Sequence, residues 1–272
     1  MTPQRTYPWG PKEVLTGLGG FLIVFIISNA FIATVAVMRD KGFEPKDAGN
    51  IFEKLDLIAS YADQRLAAAA DGKTLPAPPR ILADQGALQL GMFATLVTQV
   101  LLFAVVGIAS KQSFHELTES LGLRRFNAGR IWVVGGAVIA AYFALFLYSQ
   151  AMEATGIDWL TPNSTVPTEI SRNDLTLSIA AAVTLIGAPI SEELFFRGLL
   201  FSGLLKWGFW PAAMLSGFMF SVVHFDPGSF IPFVGIATLM AYLYWRKGCL
   251  WDSILFHFAF NSVSMAILVA TR

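Results

Sequence analysis

Charge is what this sequence has least of. Asp, Glu, Lys and Arg make up 14% of its 272 residues and hydrophobic residues 55%, whereas an ordinary soluble domain carries about 25% charge. That shortage argues against a water-soluble globule and for a membrane protein. Cysteine is nearly absent too: the lone Cys249 excludes a disulfide framework and a cysteine-rich metal site. The 19 basic residues are matched by 19 acidic ones, so no electrostatic feature points to nucleic acid as a partner. No fixed-period repeat and no second soluble domain is visible. The first apolar run is too long for a removable signal peptide and lacks a convincing small-residue cleavage site, which makes it a retained anchor.

Long uncharged apolar runs are what the sequence has instead. Val14 to Met38, Leu88 to Ser110 and Ile131 to Met152 contain no charged residue, and each reaches the roughly 20 residues a helix needs to cross the hydrocarbon. After Asp174 the runs are denser and more broken: Leu175 to Ile190, Trp207 to Val223, Ser229 to Trp245 and Ser253 to Thr271. The pattern predicts an all-α membrane bundle of about seven transmembrane helices. Lys and Arg favour inner connections. With the N-terminus inside, those segments hold Arg5 and Lys12, then Lys111, Arg124, Arg125 and Arg130, then Lys206, then Arg246 and Lys247. Beyond the first loop the outer connections hold Arg172 as their one basic residue, beside Glu153, Asp158, Glu169, Asp174 and Asp226. The expectation is an integral multi-pass protein of the plasma or inner membrane, N-terminus cytoplasmic and C-terminus outside. The loop from Arg39 to Gly86 reads as an outer loop, with a helix-prone stretch at Ala62 to Ala70 and a proline-rich end at Pro76, Pro78 and Pro79. Asn163-Ser164-Thr165 matches a glycosylation acceptor, a tripeptide common by chance.

Ionisable side chains cost about 2.5 to 3.5 kcal/mol at a helix centre on insertion scales, so each one in a membrane segment needs a reason. The spans before Leu175 have none, whereas the later ones gather Glu192, Glu193, Arg197, His224 and His257, joined by Asn261. Counted from the inner basic markers, Glu192 lies 14 residues before Lys206, His224 lies 18 after it, and His257 lies 10 after Lys247. At about 1.5 Å per residue the three can occupy one layer. Spacing then assigns faces: Glu193 and Arg197, four apart, can pair along one helical stripe, and Glu192, turned by about 100°, is left to face something else. Phe220 and His224 share a face, as do His257 and Asn261.

Two carboxylates, two imidazoles and an amide in a water-poor pocket suit hydrolysis of an amide bond. A carboxylate and a histidine can activate a water, and an imidazole and an Asn amide can stabilise the oxyanion. Alternatively Glu192, His224 and His257 could be three ligands of a catalytic zinc with a position open for water. At this level the cofactor is either none or zinc.

Glu192-Glu193-Leu194-Phe195-Phe196-Arg197, Phe220-Ser221-Val222-Val223-His224 and His257-Phe258-Ala259-Phe260-Asn261 resemble the EExxxR, FxxxH and HxxxN/D motifs of the CPBP intramembrane proteases. That family includes the type II CAAX prenyl endopeptidases and the bacteriocin-processing or self-immunity proteins of the Abi group. The motifs are intact and in order, and the likeness covers roughly Leu175 to Ala270. It implies a catalytic core at 175–272 behind N-terminal transmembrane helices at 1–174. It also implies a membrane endopeptidase, labelled a metalloprotease in part of the family, acting on a membrane-anchored peptide or protein. In that reading Glu192 and His224 activate water, His257 and Asn261 stabilise the oxyanion, Glu193 with Arg197 organises the site, and Phe220 shapes it.

Blander readings stand beside these. Glu193 and Arg197 can be an ion pair that pins helices, and Phe195, Phe196 and Phe220 can be packing residues. His115 reads as a surface residue of the inner loop. Gly17, Gly19, Gly20, Gly135 and Gly136 read as points of close helix approach. A proton-coupled transporter would string its titratable groups along the membrane normal, and a catalytically silent scaffold or immunity protein would keep the motif for structure alone.

Overall fold

The computed structural model describes residues 7–39, 85–156, 160–162, 168–224 and 226–270, with isolated positions between 60 and 73. Most of the loop expected at 39–86, including its prolines, and the Asn163-Ser164-Thr165 tripeptide lie outside the described residues. The described residues form eight helices and no strand: α1 Pro11–Arg39, α2 Gln85–Ser110, α3 Phe114–Ser120, α4 Ile131–Thr155, α5 Asp174–Trp207, α6 Phe209–Val222, α7 Phe230–Lys247 and α8 Trp251–Ala270. The protein is an all-α membrane bundle.

Local chemistry sets several of the ends. Ser113 accepts from the Glu116 amide while the Glu116 carboxylate accepts from the Ser113 amide, a reciprocal cap that starts α3. Asn173 caps α5 through the Thr176 amide. Gly248, at φ 60°, closes α7 with its amide on the Tyr244 carbonyl.

Five stretches are long and apolar enough to cross a membrane: 11–31 of α1, 88–110 of α2, 128–155 leading through α4, all of α5, and α8. Two expectations change here. The fourth run does not stop at Ile190; α5 continues to Trp207 as a helix of 34 residues, so the EExxxR motif lies inside it. And α6, at 14 residues, is about 21 Å long, short of the roughly 30 Å hydrocarbon core. α6 and α7 therefore pack as a hairpin, and His224 stands not on a helix but in the turn just past Val222.

α5 is the axis of the bundle, packed against α1, α2, α6, α7 and α8. Its residues from Glu193 to Leu204 are all buried, with Phe195, Leu199 and Phe201 wholly so. α1 closes on this core at Gly17, where a Cβ would lie 2.4 Å from a Leu199 methyl, so a side chain there would force the helices apart. Gly20 faces Val105 in the same manner, but Gly19, Gly135 and Gly136 meet nothing within 4 Å and are not approach points. The rim of the bundle is apolar: Leu15, Ile23, Ile26 and Ile27 of α1 and Ile139, Phe143 and Phe146 of α4 are exposed, as side chains facing acyl chains should be.

A polar clasp at one end sets the height of α8. The Leu250 amide donates to the Leu121 carbonyl at 3.0 Å and Trp251 Nε1 to the Leu123 carbonyl at 2.7 Å, and Arg130 pairs with Asp252. Because α8 is anchored there, Ser253, His257 and Asn261 are carried up one stripe at successive turns.

Candidate active site

The backbone of α5 is irregular where the site forms, and one residue accounts for part of it. From Ala182 to Gly187 the helix widens to i→i+5 bonding, with the Ala188 amide reaching back to the Val183 carbonyl. In that register the next donor, for the Thr184 carbonyl, would come from residue 189. Residue 189 is proline, which has no N–H. Pro189 therefore cannot serve the Thr184 carbonyl, and Asn261 of α8 donates to it through Nδ2 at 2.8 Å. A widened turn of this kind is rare and concentrates at functional sites. A second widened stretch runs from Glu193 to Phe201 and carries Glu193 and Arg197.

Glu193 is completely buried and fully engaged. Its Oε1 accepts from Arg197 Nη1 at 2.8 Å and faces His257 Nδ1 at 3.0 Å, while its Oε2 accepts from Ser253 Oγ. Ser253 was not singled out by sequence, yet the signal was there: it precedes His257 by four residues, as Asn261 follows it by four. Arg197, also completely buried, pairs with Glu193, and its Cζ lies 4.5 Å from the Phe220 ring centroid. Phe220 therefore touches this guanidinium, the His224 ring at 4.6 Å and the His257 ring at 6.0 Å, besides the rings of Phe196 and Phe233.

Glu192, one residue from Glu193, faces the other way. It lines a cavity of about 580 Å³ together with His224, His257, Asn261, Phe220 and Thr184, and its Oε2 is buried with no hydrogen-bond partner. The rest of the wall is mostly apolar and includes Leu145 and Ser149 of α4 and Phe233, Ile236 and Met240 of α7. Phe233 also packs on the His224 ring, centroids 4.8 Å apart. His115 stands apart, exposed on α3.

Hydrogen bonds fix which nitrogens are available. His224 Nδ1 is 2.7 Å from the Phe220 carbonyl; a carbonyl only accepts, so Nδ1 carries the proton and Nε2 is the basic nitrogen of the neutral ring. His257 Nδ1 donates to the Glu193 carboxylate, which again leaves Nε2 as the free nitrogen. Asn261 spends one N–H on Thr184 and keeps the other.

Among the described residues no three His, Cys, Asp or Glu side chains stand close enough together to hold a metal ion, so Glu192, His224 and His257 share a cavity without forming a ligand triad.

Residues 174–263 match the family described as type II CAAX prenyl endopeptidase Rce1-like. A Bacillus subtilis (strain 168) protein named "Putative membrane peptidase YdiL" is 24% identical over 189 residues, covering 69% of this chain and 73% of that protein. No solved structure matches.

Proposed function

We propose that this member of the CPBP family is an intramembrane endopeptidase that hydrolyses a peptide bond of a membrane-associated peptide or protein with a glutamate- and histidine-activated water. The observation that carries the reading is convergence: Glu192, His224, His257 and Asn261, from three separated segments, line one cavity, beside a buried Glu193–Arg197 pair. That arrangement supplies a base, a polariser and two donors within a mostly apolar wall, where such groups act more strongly than in water.

The steps follow from the free atoms. A water between Glu192 and His224 gives its proton to this pair as its oxygen attacks the substrate carbonyl. The oxyanion takes hydrogen bonds from His257 Nε2–H and from the second N–H of Asn261. Such donation uses the doubly protonated ring, whose Nδ1–H is held by the Glu193 carboxylate. The proton taken from water then passes to the amide nitrogen as the C–N bond breaks, leaving a carboxylate and an amine. The apolar remainder of the cavity receives the side chains of a segment presented from the bilayer, with the N-terminus of the enzyme on the cytoplasmic side.

The experiment is cleavage of a panel of membrane-anchored peptides, prenylated and not, by the purified protein in detergent, with and without a zinc chelator. Cleavage that persists under chelation is the expected result, since the three candidate ligands are not gathered. Cleavage lost to the chelator and restored by zinc would overturn the water-activation scheme; no cleavage of any peptide would count against the protease reading. Asn261→Ala is expected to lower kcat by about 10² to 10³, the effect of losing one oxyanion donor, measured on the peptide that wild type cleaves best.

A further inference from the structure

Gln99 lies in α2, outside the segment that matches the family. It is buried, and its Nε2 donates to the Val183 carbonyl at 3.1 Å. Val183 already accepts from the Ala188 amide, so Gln99 is not rescuing an orphan. It grips the widened turn itself. The next carbonyl along is that of Thr184, which holds Asn261. Two side chains from two helices thus hold adjacent peptides of the same turn, one from α2 and one from α8.

Gly187 belongs to this arrangement. A Cβ there would lie 1.8 Å from Gln99 Oε1 and 2.7 Å from its Cδ, so the amide can reach Val183 only because residue 187 has no side chain. Gln99 Oε1 is itself buried with no hydrogen-bond partner. Holding an amide in apolar surroundings half-satisfied is costly, and an apolar side chain of similar size would fit the same place at less cost. The polar side chain is therefore poorly explained by stability.

We propose that Gln99 is a positioning residue for Asn261: by fixing the Val183 peptide it fixes the direction of the Thr184 carbonyl, and so the direction of the amide N–H that Asn261 presents to the cavity. The inference rests on the oxyanion role given to Asn261 above. It makes α2 part of the active site's support rather than a passive wall.

Gln99→Leu removes the donor and keeps the bulk. It is expected to lower kcat about tenfold, the scale of one mis-set hydrogen bond, with KM unchanged and thermal unfolding unchanged or raised. Gly187→Ala, which pushes the amide away from the other side, should lower kcat similarly. The decisive arm is a double-mutant cycle: in an Asn261→Ala background, Gln99→Leu should cost nothing further. Additive losses, or a loss confined to KM or to thermal stability, would overturn the assignment. Hydrogen–deuterium exchange of 182–187 and 257–262 gives a readout independent of turnover. Gln99→Leu should speed exchange in both stretches, and unchanged exchange in 257–262 would overturn the proposal even if wild type cleaves nothing. Absence of cleavage by wild type, in contrast, would defeat the protease reading and leave the exchange result to decide the link between Gln99 and Asn261.

Discussion

Glu192→Gln is expected to lower kcat by about 10² to 10⁴, the range for a lost general base, while leaving thermal unfolding in detergent unchanged or slightly raised. The second half of that expectation is the sharper one. Glu192 is partly buried, lines the cavity, and leaves Oε2 with no hydrogen-bond partner. An oxygen in that condition makes no hydrogen bond to offset its desolvation, so replacement of the carboxylate by a neutral amide of the same size costs the fold little as it removes the chemistry. The measurement is kcat on one anchored peptide alongside the unfolding midpoint, with His115→Ala as a control that should alter neither. A midpoint that falls with the activity would make Glu192 a structural residue and remove the base from the scheme. His224→Ala should behave as Glu192→Gln does in kcat, because its single internal bond, from Nδ1 to the Phe220 carbonyl, leaves Nε2 with no structural duty.

The contrast between neighbouring glutamates also shows what could be read from sequence. That Glu193 would pair with Arg197 and Glu192 would turn elsewhere followed from helical spacing alone, because a four-residue separation is a property of any helix. So did the shared stripe of His257 and Asn261. Ser253 was missed although it continues that stripe by one turn, because a serine in an apolar run carries no charge to draw the eye. The fate of Asn261 could not be read locally: its partner is the Thr184 carbonyl, which Pro189 has no N–H to serve, 77 positions earlier in the chain, and only the packing of α8 on α5 brings them together. Gln99 is the same case from the other side.

Fold-level misreadings have similar causes. Hydropathy reports how apolar a run is and not where its backbone turns, so the run at Trp207 to Val223 looked long enough to span. It contains the bend at Gly208, where φ is 97°, and ends in the turn that holds His224. Small residues likewise look alike in sequence; Gly17 meets Leu199 and Gly135 meets open space, a difference set by which way α1 and α4 rotate. The bundle and the gathering of its ionisable residues in one layer were legible because membrane burial penalises charge strongly enough to leave few of them.

Removing half of the buried pair should test what that pair is for. Arg197→Met is expected to destabilise the fold by about 3 to 5 kcal/mol, the penalty for stranding one partner of a buried ion pair, since the Glu193 carboxyl would be left buried with only Ser253 and His257 beside it. Arg197 also loses its place over Phe220, and Phe220 touches both histidine rings, so the aromatic packing under the site loosens as well. The double variant Glu193→Met with Arg197→Met is expected to recover much of that stability, because replacing both partners of a buried pair by apolar side chains is often close to neutral. It should not recover turnover, because His257 then has no carboxylate to hold Nδ1. Unfolding midpoints and kcat for wild type, the single variant and the double variant decide the matter. If the double variant regains both stability and turnover, the pair merely pins helices and the organising role given to it falls; if it regains stability alone, Glu193 acts on the chemistry through His257.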